Sequence, residues 1–427
     1  MKKLGWLILV LSACAPLPYG SSSSSSGPKS LQLVDRVYES NIQTVRLLRA
    51  ENDPMSQLLP AVTQLGKWNL ILEFDDLHTE RDNYYLRIIH CNQNWTKSGL
   101  IDLDYLPDYN EFPINEFEFS LDTWKPYVHY WVQIPPVRLP GNYVAVVYRG
   151  SDKEDIIISK RFMVFEPRVT FVRDDKLVSS GTAAIRNQQI NFTINYKNVE
   201  LINPLETVNV TVRQNQRWDN LAQEVKPSFL RENIQELEYR FFDDASMFRG
   251  GNEFRFFDLR SLNYPGRNVA YMDKNTMPWT AYIEKDKNRS SELYSQYPDY
   301  NGSYMLDNYD YRRINASNYV NVAFTLQSPQ PVNGDVFVMG ALTHWGMNEE
   351  NRMRYDSARR EYTSTLLLKQ GWYDYQYVVR SKTQPPLFFE GSHFQTENFY
   401  EVFVYYRSFK PMADLLIGYM TFFENPR

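Results

Sequence analysis

Five histidines, two cysteines and three Asp-Asp pairs are the residues of this 427-residue chain from which catalysis or metal binding would be built. His90 and Cys91 are neighbours in an alternating run from Tyr84 to Ile89, so as strand residues they point to opposite faces and cannot form a joint dyad. His129 stands between Val128 and Tyr130 on another strand and could approach either His90 or Cys91, not both. The reading is a buried, hydrogen-bonded histidine, because a nucleophile-base pair needs a third orienting group that the sequence does not place. His78, His344 and His393 fall at no zinc-like spacing. Glycoside cleavage needs two carboxylates facing each other at ~5–10 Å, usually from different elements. The pairs Asp75-Asp76, Asp174-Asp175 and Asp243-Asp244 sit beside turns and read instead as solvated turn formers. Asp299-Tyr300-Asn301-Gly302 has its glycine at the fourth position, where a calcium loop requires it at the sixth. Phosphate loops, dinucleotide fingerprints and nucleophile elbows do not occur. The expectation is a protein without catalytic residues, metal or cofactor.

The elements that would carry these side chains are strands. From residue 31 onward, short alternating segments such as Asn69 to Phe74, Tyr84 to Ile89, Tyr127 to Ile134 and Tyr143 to Tyr148 are separated by Pro, Gly, Asn and Asp. That spacing predicts β-sandwiches. Arg161 to Phe165 reads as the last strand of a first unit, ending at Glu166-Pro167. A second series contains Gln189 to Tyr196, Val208 to Gln214, Glu236 to Phe241, Glu253 to Leu259 and Thr280 to Lys285. It runs into a tyrosine-rich linker or long loop, Asp286 to Arg313. A third series begins at Tyr319 and ends with Glu401 to Tyr406 and Leu415 to Phe423. The fold class expected is all-β, three consecutive Ig-like or early-set β-sandwich domains in a row over residues 31–166, 167–312 and 313–427.

The N-terminus reads as an export signal. Lys2 and Lys3 precede an apolar run from Leu4 to Leu11, and the string Leu11-Ser12-Ala13-Cys14 closes it. A basic start, a short apolar stretch and small residues before a cysteine form a lipoprotein signal over residues 1–13, with Cys14 as the lipidation site. The run is too short for the ~20 residues a spanning helix needs, so acyl chains would make the attachment. Ser21 to Ser26, then Gly27 and Pro28, make residues 14–30 a flexible tether. The expected location is the outer membrane with the body facing the periplasm. With Cys14 lipidated, Cys91 is the one thiol left and no intrachain disulfide can form, so stability rests on core burial. A net charge of −5 without a basic tract argues against nucleic acid as a partner. Aromatic residues make up 15% of the chain, which suits pleated surfaces and also supplies surface for sugars or a protein partner.

Two resemblances add to this reading. Val336 to Gly340, His344-Trp345, the strand Tyr362 to Leu368, Gly371 and Tyr373 to Val379 resemble the early-set immunoglobulin-like modules, which include glycogen- and starch-binding ones. That resemblance implies glycan stacking at Trp345 and Trp372 as an alternative function. The denser pattern is Tyr85 to Asn92, Trp95, Leu103 to Leu106, Tyr109-Asn110-Glu111, Pro113-Ile114, Tyr127 to Tyr130, Gly141-Asn142-Tyr143 and Arg161 to Val164. It continues in Asn252 to Leu262 and Asn318-Tyr319-Val320. This resembles the plug protein family of the type IX secretion system of Bacteroidota. The resemblance implies a non-catalytic plug that closes the periplasmic opening of the large outer-membrane β-barrel translocon when no substrate occupies it. The partner would be that barrel, with no small-molecule substrate. Asn92, Trp95, Tyr105 and Asn110, in the specific block, are the candidate partner-binding residues. Asp356-Ser357-Ala358 resembles the O-glycosylation acceptor of periplasmic proteins of Bacteroidota.

Overall fold

The structure is a computed structural model that describes residues 29–51, 53–174, 185–241 and 247–426, and every pairing and contact below is among these. The signal 1–13, Cys14, most of the tether, Asp175 and the pair Asp243-Asp244 lie outside them.

The first domain stacks two sheets. One orders Arg36–Val37, Ile156–Phe165, Gly141–Arg149, Tyr84–Cys91 and Phe112–Ile114, with Val62–Gln64 added parallel to the end of Ile156–Phe165. The other orders Ile42–Arg49, Leu70–Asp76, Val128–Gln133 and Glu116–Phe119. Alternation does the sorting: Leu70, Leu72 and Phe74 face Tyr84, Leu86 and Ile88 across the core. Gly141–Arg149 departs from one-sided alternation, being buried at every position before Arg149. Tyr143, Ala145 and Val147 enter the core, while Val144 and Val146 face Phe403, Tyr405 and Leu416 of a hairpin near the C-terminus. Gly141 itself is required, since a Cβ there would stand 2.5 Å from His90 Nε2.

The strands do not divide at residue 312. Asn398–Arg407 pairs with Val208–Gln214 in unbroken register from Val208↔Tyr406 to Gln214↔Tyr400, and Asp414–Glu424 extends the same sheet. This sheet closes over Thr170–Asp174, Asn191–Asn195, Glu236–Tyr239 and Phe229–Arg231 to make the second domain. The third domain is inserted within the second. Arg255–Asp258 pairs with Gly371–Arg380, and Val269–Asp273 and Thr280–Ile283 join Tyr319–Gln327 and Glu361–Lys369. Two strands expected in the middle unit, Glu253 to Leu259 and Thr280 to Lys285, thus belong to the third with the unexpected Val269–Asp273, and two expected in the third belong to the middle. The tyrosine-rich stretch is not a linker. It lies on the third domain, where Tyr304–Leu306 pairs with Gly371–Arg380 and Arg289 Nε donates to Glu390 at 2.6 Å.

The domains are not strung in a row. Sheet faces of the first and second bury a shared apolar cluster containing Val62, Trp95, Met163, Phe403 and Leu416. The first and third meet through Trp124 and Trp279, with ring centroids 4.1 Å apart. Second and third meet where Arg217 lies over Trp345 at 4.8 Å. Each domain therefore braces the other two. Burial of each large apolar side chain in such a seam contributes ~1.5–3 kcal/mol, so the seams are built as domain cores are.

Candidate functional site

The densest polar constellation lies between the first and third domains. Asp75 and Asp76 end the strand Leu70–Asp76 and are both fully buried, contrary to the expectation of solvated turn formers. As adjacent strand residues they face opposite ways. Asp76 accepts from Tyr84 Oη at 2.8 Å and Asn41 Nδ2 at 2.8 Å inside the first domain. Asp75 faces the third domain, where Lys369 Nζ lies 2.7 Å from its Oδ2 and Tyr319 Oη donates at 2.6 Å. His129 Nδ1 donates to Oδ1 at 2.7 Å. Burial works against the Asp75 charge, but Lys369 and His129 overcome it and hold its pKa down to about 2. For Lys369 burial dominates and places its pKa below the usual lysine range despite Asp75. The two directions share a cause: Asp75 collects three donors, whereas the ammonium meets one carboxylate and the face of Tyr127 at 4.2 Å. Every partner is a protein group, and neither Asp75 nor Lys369 lines the cavity or the cleft described below. The arrangement is a buried latch between domains.

The other reactive groups are placed for packing. Cys91 is buried, and burial pushes its thiol up to about 12. His90 is buried against Tyr143 and Tyr105, and burial lowers it to about 4. Two acidic groups do meet in the third domain, at Asp299 and Asp374. Burial first, and then the Asp299 carboxylate, raises Asp374 well above the ordinary range. Trp372 Nε1 donates to Asp374 at 3.0 Å and Asn301 N to Asp299 at 2.9 Å, so these carboxyls organise a turn. Among the described residues no group of His, Cys, Asp and Glu is arranged to hold a metal.

The four residues singled out as partner-binding candidates make anchoring contacts within the chain. Asn110 behaves as a missing piece of strand: Ile88 N donates to its Oδ1 at 2.8 Å and its Nδ2 donates back to Ile88 O at 2.7 Å. Tyr105 is buried in the first core with its hydroxyl 2.6 Å from Asp102 Oδ1. Trp95, in the left-handed region at φ 63°, packs edge-on to Trp218 of the second domain at 4.9 Å. Asn92 closes the turn before it and receives Arg407 at 3.0 Å. What they hold in place is exposed. Between Asn92 and Asn110 the chain carries Ile101 (64% exposed) and Leu103 (67%) around the short helix Asp102–Tyr105. Arg138 N donates to Tyr105 O, and the adjoining Gly141 abuts Asp414 of the C-terminal hairpin. The tip of that hairpin presents Phe409 (80% exposed) and Met412 (68%). Their place in the block that resembles the plug family pointed to the aromatic and amide anchors. The signal for these exposed positions was apolar residues close to Asp or Pro, outside any alternating run.

The two candidate sugar platforms face protein. Trp372 is buried and stacked on Phe256 at 4.4 Å. Trp345 is half-buried, edge-on to Phe254 at 5.9 Å and beneath Arg217. Two concavities separate the domains. A cavity of about 130 Å³ lies where all three meet, walled by Arg46, Lys160, Arg161, Arg213, Tyr304 and His344 among others. A cleft of about 1510 Å³ separates the second and third, lined by Asn187, Asn215, Arg249, Gln376, Leu387 and His393 among others. No helix is long and apolar enough to cross a membrane among the described residues.

No curated protein matches the sequence significantly. The crystal structure of a hypothetical protein from Parabacteroides merdae ATCC 43184 superposes with a TM-score of 0.84 at 26% identity, covering 92% of this chain and 100% of that one. Trypsin-activated alpha-2-macroglobulin from Escherichia coli gives a TM-score of 0.15 at 9% identity over 93% of this chain and 24% of that one. Residues 42–166 match the family described as type 9 secretion system plug protein 1st domain. That stretch spans the first domain from Ile42–Arg49 to Ile156–Phe165 and includes the turn and loop anchored by Asn92, Trp95, Tyr105 and Asn110, so the first domain of this chain belongs to the type 9 secretion system plug protein 1st domain family.

Proposed function

We propose that this protein is the stopper of a type 9 secretion translocon, seated on the periplasmic opening of the large outer-membrane β-barrel while no substrate fills it. One observation supports the reading most directly. Ile101 and Leu103 of the first domain and Phe409 and Met412 of the second stand exposed on a body whose domains share buried seams. A stopper must resist deformation and needs no chemistry. Interlocked sandwiches supply the stiffness, and exposed apolar tips supply contacts that a loaded barrel can displace, since only surplus over the cost of docking appears as affinity. Lipidation at Cys14 and attachment to the outer membrane with the body in the periplasm complete the proposal; a tether raises local concentration near a membrane-bound partner.

The test is isolation of the full chain from detergent-solubilised outer membrane. A large β-barrel protein should accompany it, and Leu103→Asp combined with Phe409→Ser should remove that companion while leaving Tm unchanged. Recovery of no barrel protein with the parent chain overturns the proposal. Deleting the gene should also raise outer-membrane permeability to large antibiotics.

A further inference from the structure

The cavity at the junction of the three domains is walled by more positive than negative charge. Arg46, Lys160, Arg161 and Arg213 line it, and Asp35 is the one carboxylate among its lining residues. Three of the four cations are matched. Arg46 pairs with Glu73, Arg213 donates from two nitrogens to Glu401 at 2.7 and 2.8 Å, and Lys160 lies 2.8 Å from Asp35. Arg161 is not matched. Its Nε donates to Leu33 O at 2.9 Å, and its guanidinium lies over Trp95 at 4.5 Å and Trp218 at 5.0 Å, with no carboxylate in ion-pair contact. Asp35 takes the Arg161 backbone N–H at 2.7 Å and gives its other oxygen to Lys160.

The opposite wall repeats this deficit. Tyr304 Oη and the His344 ring nitrogens have no hydrogen-bond partner among the described residues, and both side chains line the cavity. His344 and Trp345 both hold positive φ, 52° and 57°, so the backbone is committed to turning these two side chains onto the cavity wall. Burial, with repulsion from Lys160, lowers His344 to about 4; burial, with repulsion from Arg213, lowers Arg161 to about 10. Burial is the larger cause of both shifts, with a like charge adding to each.

We propose that the three-domain junction binds one small oxyanion of phosphate or carboxylate type, held by Arg161 of the first domain and by Tyr304 and His344 of the third. Guanidinium is suited to such groups because its planar fork meets two oxygens at once. The volume suits a small anion and excludes a chain. An anion there would touch donors of the first and third domains beside Arg213 of the second, so binding would stiffen the assembly by favouring the closed arrangement. The inference stands apart from the secretion role, which it neither needs nor uses.

The experiment is a thermal melt and a calorimetric titration of the full chain with inorganic phosphate, acetate and chloride at equal ionic strength. Phosphate or acetate should raise Tm saturably and chloride should not. Arg161→Gln should abolish the rise. Because that variant loses contacts with two tryptophans, Ala341→Glu serves as the second: it hangs a carboxylate on the same wall, and should melt higher than the parent without added anion and ignore phosphate. An equal effect of all three salts on the parent, or an undiminished oxyanion response in Ala341→Glu, overturns the proposal.

Discussion

Replacing Lys369 by Met should be among the most damaging single changes available, and its double mutant should be nearly harmless. Lys369 and Asp75 are both fully buried at 2.7 Å, on strands of different domains. Lys369→Met leaves Asp75 ionised, or forces it to take up a proton, with Tyr319 and His129 as its remaining partners. Breaking one side of a buried pair in this way costs about 3–5 kcal/mol. The depressed pKa of Lys369 shows that its desolvation outweighs what Asp75 returns, so the intact pair contributes little net stability. Removing both charges, as Lys369→Met with Asp75→Asn, should therefore recover most of the loss. The coupling energy from urea unfolding of the parent, both single mutants and the double mutant should be about 3 kcal/mol or more, since it contains the recovered loss and the cost of Asp75→Asn. If Lys369→Met costs less than ~1 kcal/mol, or the double mutant is as unstable as the sum of the singles, the latch is not a buried ion pair in solution.

Three further expectations follow from the same contacts. Asp75 and Glu390 both have pKa values lowered to about 2, below their unfolded values, so their contribution is complete above the unfolded pKa and lost as pH falls from about 4 towards 2. For Asp75 that loss is ~2.5 kcal/mol, and a Tm profile flat down to pH 3 would contradict it. Cys91, buried with its thiol pushed up to about 12, should ignore a thiol reagent at pH 8 in the folded chain and react at once in denaturant; rapid labelling of the folded chain would sink this. Gly302→Ala should destabilise, because Gly302 holds φ +80° and an added Cβ would stand 2.3 Å from the Trp345 ring and 2.7 Å from Phe254; an unchanged Tm would refute it.

Strand content was legible because alternation is local. Tyr84 to Ile89 and Tyr143 to Tyr148 need no knowledge of their partners to be read as strands. Which strand pairs with which is not local, and there the reading failed. Glu401 to Tyr406 follows the third series in the chain, but its partner is Val208–Gln214, about two hundred residues earlier. Asp75 shows the same limit within a site: beside a turn it reads as solvated, and only the approach of Lys369 from another domain explains its burial. Asn92, Trp95, Tyr105 and Asn110 were found through their place in the block that resembles the plug family, and their role as anchors follows from hydrogen bonds to Ile88 and packing on Trp218 that no spacing encodes.

The insertion has a consequence that distinguishes it from three domains in series. The insertion's ends lie together: His393 N donates to Gly251 O at 2.8 Å, and Asn398 Nδ2 donates to Gly250 O at 2.7 Å. A chain ending at residue 397 keeps every strand of the third domain yet loses Asn398–Arg407 and Asp414–Glu424, half of the sheet that closes the second. That removes Tyr400, Val402, Val404, Leu415 and Ile417 from one core and Phe403, Tyr405 and Leu416 from the seam with the first domain. At ~1.5–3 kcal/mol for each large apolar side chain, the loss is comparable to or larger than the whole stability of an ordinary domain, ~5–15 kcal/mol. The truncated chain should therefore show a proteolysed second domain, whereas joining Gly251 to Glu397 through a short glycine linker should leave the second sandwich folded. Domains in series would give the reverse, with the chain cut at 312 keeping an intact second domain, and limited proteolysis of the three chains decides between them.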